Sequence, residues 1–250
     1  MEVHHHAHSA RKKFTHYLWE FLMLFLAVFC GFMAENFREH QVEHSRENKY
    51  IRSLIADLKT DTAEYRNVIA YNIRKLYGMD SLVNLMNGPE LTPVEEELAY
   101  KFRWRYLSNI YTMIFNERTI RQLLSSGNLR LIREQAVSDS IMNYYGQRKD
   151  DIQGQEMVYG EMSKRMIDIG EDIFDNTVYR FNMRPDSSFY RERTSEPMLL
   201  LTKDKKTLKK FTQMVLTARG FLYVYLEMIF DMERRAKRLL IYLQNQYHMQ

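Results

Sequence analysis

One stretch constrains this chain more than any other: Tyr17 to Ala34, YLWEFLMLFLAVFCGFMA. These eighteen residues carry a single charge, Glu20, near their start. At a rise of ~1.5 Å per residue a helix of that length reaches about 27 Å, enough for a thin hydrocarbon core with interfacial help. Tyr17 and Trp19 stand where an aromatic belt would lie, and Arg11-Lys12-Lys13 comes immediately before. The positive-inside tendency then predicts a cytoplasmic N-terminus, with everything after Glu35 on the other side. A cleaved signal peptide fits less well, because cutting after Ala34 puts Phe32 at the third-last place, where a small residue is wanted. Lipidation of Cys30 is disfavoured by the bulky Phe29 before it. The sequence predicts an uncleaved anchor, dividing the chain into a His-rich basic tail (1–16), a membrane helix (17–35) and a helical domain (36–250).

Within the span, Glu20, Ala27, Gly31 and Ala34 fall within about 60° of one another at ~100° per residue. Ala27 and Gly31 form a small-xxx-small pair, which lets helix backbones approach closely. Glu20 on the same stripe is costly against lipid and cheaper against a partner helix, or against water at headgroup depth. These four residues are the candidate membrane-helix packing face.

Beyond the span the pattern stays helical. Ile51, Leu54, Ile55, Leu58, Tyr65, Val68, Ile69, Leu76, Val83 and Met86 recur at spacings of three, four or seven, so one long helix is expected to about Met86. Thr92-Pro93-Val94-Glu95 reads as a capping box with proline at the first helical position, opening a helix expected to reach about Phe115. A short helix capped by Asn116 and stopped at Gly127 follows, then a longer one from about Leu131 to Phe174. Residues 176–197 lack a helical period and hold two prolines, which predicts a loop. The last helix is the clearest. Leu208, Phe211, Val215, Ala218, Leu222, Tyr225, Ile229, Met232, Ala236, Leu239 and Leu243 alternate steps of three and four, a seam suited to a bundle or coiled coil. Arg219 and Glu227 leave the apolar run inside it too short for a second span. With only 9 Gly and 4 Pro the chain argues against a turn-rich β architecture. The expected class is all-α: one N-terminal membrane helix, then a bundle of about four helices.

Chemistry-bearing motifs are sparse. The single cysteine excludes an intrachain disulfide and a cysteine metal cage. The mild net charge of +4, with both signs interspersed, gives no one-sided basic surface for nucleic acid. His40-Gln41-Val42-Glu43-His44 matches the H-x-x-E-H pattern of a class of zinc peptidases, and on a helix both histidines share a face. Such a peptidase also needs a third ligand downstream and a mixed α/β domain, for which no strand-like alternation appears. The stretch is also polar on all sides, so His40 and His44 are weak metal candidates on a solvated surface. His4, His5, His6 and His8 sit on a tail that offers a metal little preorganisation. Asp168, Glu171 and Asp175 share one predicted helix face that reads as solvated surface. No catalytic residue and no cofactor is expected.

Two stretches carry a resemblance. FLMLFLAVFCGFMAENFREHQVEHSRENKYIRSLIADLKTD resembles the anchor and juxtamembrane segment of uncharacterised single-span membrane proteins of Bacteroidota. TIRQLLSSGNLRLIREQAVSDSIMNYY resembles a helix–SSG–helix segment of related families of unknown function there. The resemblance implies a bacterial inner-membrane protein with a periplasmic helical domain and implies no activity. The function expected is that of a non-catalytic scaffold or interaction subunit, a homo-oligomer or a partner of another envelope membrane protein. The alternatives are a ligand-sensing helical ectodomain and a proton-coupled single-span subunit using Glu20.

Overall fold

The computed structural model describes residues 14–107, 110–146, 148–185 and 188–249. Six α-helices and one two-stranded hairpin are found among them: α1 Phe14–Met86, α2 Pro93–Tyr106, α3 Arg118–Ser125, α4 Gln135–Tyr145, α5 Arg148–Glu171, β1 Tyr179–Met183, β2 Phe189–Arg193 and α6 Lys205–Tyr247. The chain divides into two compact units, Met1–Tyr50 and Ile51–Gln250.

In the first unit, every residue from Phe14 to Val42 is helical and exposed. Phe21, Phe25 and Phe29 stack in succession, with centroids 6.3 and 6.0 Å apart.

The second unit is built on the α1 stripe. Ile51, Leu54, Leu58, Tyr65, Val68 and Met79 are fully buried. Each such side chain contributes about 1.5–3 kcal/mol by leaving water. The expected end of α1 at Met86 is the observed one, and the capping box of α2 forms in both directions between Thr92 and Glu95. α6 buries Phe211, Val215, Ala218, Leu222, Tyr225, Ile229, Met232, Ala236, Leu239 and Leu243, so the predicted seam faces the core.

The α-helices outnumber the four or so expected beyond the anchor, and four further expectations need correction. First, α2 ends at Tyr106 rather than near Phe115. The backbone of the segment that follows is bonded by side chains of other helices. Asn72 of α1 donates to the Tyr111 carbonyl at 2.8 Å and accepts from the Tyr111 N–H at 3.3 Å. The Met113 N–H donates to the Tyr225 hydroxyl of α6 at 3.1 Å. Those partners replace helical bonds, which a buried backbone must otherwise make within the segment.

Second, the N-cap of α3 is Glu117, not Asn116, and its side chain makes no cap bond. Asp57 of α1 does that work, accepting from the Thr119 N–H at 3.2 Å.

Third, the helix expected over 131–174 is a 3₁₀ turn, Asn128–Leu131, followed by α4 and α5. Gly146, with φ −83° and ψ −142°, breaks the path after α4.

Fourth, 176–197 is not a loop throughout, so the domain is not purely α. β1 and β2 pair antiparallel, from Tyr179 opposite Arg193 to Met183 opposite Phe189. An isolated hairpin is marginal in water; this one leans on α2. The Tyr179 ring meets Trp104 edge-on at 5.5 Å, and the Arg191 guanidinium lies 4.1 Å from the Tyr179 centroid and 5.0 Å from that of Trp104. Glu96 and Tyr100 of α2 hold the segments on either side of it. Leu200 N–H donates to Glu96 at 2.6 Å, Asp175 N–H donates to the Tyr100 hydroxyl at 2.8 Å, and that hydroxyl donates to the Leu199 carbonyl at 2.8 Å.

Candidate functional site

Glu20, Ala27, Gly31 and Ala34 all lie on α1 and are all exposed. A Cβ added at Gly31 would meet nothing within 4 Å. Glu20 Oε1 lies 3.0 Å from His16 Nε2, one turn earlier. The Phe21–Phe25–Phe29 ladder centres about 150° away around the helix at ~100° per residue, so this segment has a small-residue face and an aromatic one. α1 contains a window long and apolar enough to cross a membrane, and none of that window is buried.

His40 and His44 each meet a neighbouring carboxylate. His40 Nδ1 is 3.9 Å from Glu43, and His44 Nδ1 is 3.4 Å from Glu47, while the other ring nitrogen of His44 is 3.3 Å from the Asn48 amide. Among the described residues no group of three or more His, Cys, Asp or Glu is placed to hold a metal ion. His4, His5, His6 and His8, with Arg11, Lys12 and Lys13, lie outside the described residues. Asp175 leaves the face expected for it beside Asp168 and Glu171. α5 ends at Glu171, and Asp175 instead caps a 3₁₀ turn, accepting from the Thr177 N–H at 2.8 Å.

The polar groups most tightly organised are ones that sequence reasoning passed over. Asp61 accepts from the Asn116 N–H at 2.9 Å and from the Tyr144 hydroxyl at 3.0 Å, and Tyr144 lies 3.2 Å from the Tyr65 hydroxyl. Burial, partly offset by those hydrogen bonds, pushes the Asp61 carboxyl up to about 6. Its neighbour Asp57 is buried and pairs with Arg118 at 3.2 Å. Lys75 is buried too, 5.6 Å from the Tyr159 ring centroid, and burial pulls its ammonium down to about 7. Further along, Tyr225 donates to Glu156 at 3.1 Å, and burial raises that carboxyl. A signal was available. The core seam of α1 runs 51, 54, 58, 61, 65, 68, 72, 75, 79, 82, and three of those positions are polar: Asp61, Asn72 and Lys75. Each ties α1 to another segment, which is a structural role.

Among the clefts on the second unit are two that combine apolar and charged walls. One, of about 350 Å³, runs between α1 and α6 and is lined by Ile73, Tyr77, Tyr223 and Phe230 among others. The larger, of about 750 Å³, lies where the α1–α2 connection meets the start of α6. Its apolar lining is Met86, Pro89, Leu91, Leu200 and Leu208, and its charged lining is Glu90, Lys203, Lys205 and Lys209.

No protein-family model, curated protein or solved structure matches the chain. The functional reading therefore rests on the chain's own residues and geometry.

Proposed function

We propose that this chain is a membrane-anchored helical scaffold of the bacterial envelope, its N-terminus cytoplasmic and its helical domain periplasmic, assembled with a second copy of itself. The single observation that carries the reading is the unburied apolar window of α1. Phe21, Met23, Leu24, Phe25, Val28 and Phe32 are all more than half exposed on a regular helix, and a soluble monomer rarely exposes a contiguous apolar patch beyond a few hundred Å².

Two further features support assembly. The Glu20–Ala34 stripe offers a close-packing face inside the membrane. On the bundle, α6 carries a second, outward seam of Leu216, Gly220, Tyr223, Glu227, Phe230 and Arg234, again alternating four and three. A Cβ at Gly220 would meet nothing within 4 Å, so the fold of one copy does not require a glycine there. A mid-helix glycine costs about 1 kcal/mol relative to alanine, a cost that close approach of another helix would offset. Glu227 and Arg234 give this surface both signs of charge, as a self-complementary patch requires.

Native mass spectrometry of the protein purified from its own membranes in mild detergent tests the reading. A defined oligomer is expected, shifted toward monomer by Tyr223→Glu combined with Gly31→Leu. A monomer at all concentrations, with the variant indistinguishable from wild type, overturns it.

A further inference from the structure

The 750 Å³ cleft at the α1–α2 connection has the size of a small-molecule site, which typically spans about 300–1,000 Å³. Its walls are fixed from several sides. Glu96, buried in α2, accepts the Leu200 N–H at 2.6 Å and holds Lys203 Nζ at 2.9 Å. Thr212 of α6 donates to the Asn87 side chain of the opposite wall at 3.3 Å. Five apolar side chains line it, together with the charged Glu90, Lys203, Lys205 and Lys209.

Those charges are unequal in availability. Lys203 is committed to Glu96 and, at 3.8 Å, to Glu90. Lys205 and Lys209 are exposed and make no ion pair among the described residues. The first turn of α6 offers an anion little, because Asp204 already caps it, accepting from the Thr207 N–H and hydroxyl at 2.8 Å each. The lining has no aromatic ring on which to stack a base and no arginine to fork a phosphate. An apolar body with a compact anionic end matches what remains.

We propose that this cleft binds a single-chain amphiphile with an anionic head, of the class of medium-chain fatty acids. The alkyl chain lies on Met86, Pro89, Leu91, Leu200 and Leu208, and the carboxylate lies between Lys205 and Lys209. The lysines act as point charges on flexible stems, so the site reads the charge and chain of the ligand more than its head geometry.

The test is photo-crosslinking of the full-length protein in phosphatidylcholine nanodiscs with a diazirine-bearing decanoate analogue, the adducts mapped by peptide mass spectrometry. Adducts are expected on the segments 86–91 and 200–209. Unlabelled decanoate should suppress them and decanol should not. The double variant Lys205→Gln/Lys209→Gln, which changes two exposed side chains, should lower adduct yield about tenfold while its thermal melt matches wild type. Adducts confined to residues 17–34 would mean partition into the lipid around the protein and would overturn the proposal. So would equal competition by decanol, or an unchanged yield in the double variant. Labelling of the cleft only by a diazirine-bearing phosphatidylglycerol in the bilayer, and not by the free acid, would assign it to a membrane lipid and overturn the free-amphiphile assignment.

Discussion

At the scale of single residues, the chain places ionisable groups on its own core seam and supplies each with a partner. Asp61 and Lys75 are the sharpest cases, and their effects on stability run in opposite directions. Burial raises Asp61 from an ordinary value of 3.8 to about 6. Between those values the unfolded chain has released a proton that the folded chain keeps, so stability falls as pH rises from about 4 to about 6. Lys75 is lowered from 10.5 to about 7, so the folded chain gives up its proton first, and stability rises with pH across about 7 to 10.5. Thermal melts of wild type, Asp61→Asn and Lys75→Met across this range, in one mild detergent, separate the two. The difference between wild type and Asp61→Asn should slope downward only in the acidic window. The difference between wild type and Lys75→Met should slope upward only in the alkaline one. A flat difference in either window would mean that the group titrates normally in the folded chain.

Among the elements, Gly78 shows how closely α1 and α2 meet. A Cβ added there would fall 2.1–2.4 Å from the Tyr106 ring, so the alanine that helix propensity favours by about 1 kcal/mol is sterically refused. Gly78→Ala should destabilise the domain by about 1–3 kcal/mol, as overpacking does, measured by denaturant titration. Replacing Tyr106 with Leu in the same chain should recover part of the loss. Elements specified by neighbours along the chain were legible in the sequence: the α1 stripe, the Thr92–Glu95 capping box, the α6 seam. The segment 110–116 was not legible, because Asn72, Asp61 and Tyr225, which bond its backbone, lie far away in sequence. The hairpin was hidden for a related reason. Tyr179–Met183 alternates apolar and polar residues but Phe189–Arg193 does not, and Trp104, which packs on Tyr179 and Arg191, comes from another helix. The lysine-rimmed cleft is likewise assembled from two connections, 86–91 and 200–209, whose meeting no local pattern encodes.

For the molecule as a whole, the decisive asymmetry is between an α1 segment with no buried residue and a second unit with a dense core. Water on all sides of Phe21, Leu24, Phe25 and Phe29 would forgo about 25 cal/mol for each Å² of apolar surface that a bilayer removes from water. The proposed insertion rests on that surface, and its proposed direction rests on the charges at the two ends. Arg11, Lys12 and Lys13 precede the span, whereas Glu35, Arg38 and Glu39 follow it with mixed sign. The excess of positive charge on one side predicts that side to be cytoplasmic. Cys30 is the single cysteine, so a Cys30→Ala background gives a chain with no thiol on which reporters can be placed one at a time. Ser45→Cys, at an exposed position beyond the span, should react with a membrane-impermeant maleimide in intact spheroplasts. Ser9→Cys should react only after permeabilisation. The reverse pattern would put the helical domain in the cytoplasm, and labelling of both positions without permeabilisation would mean that the segment does not span the bilayer.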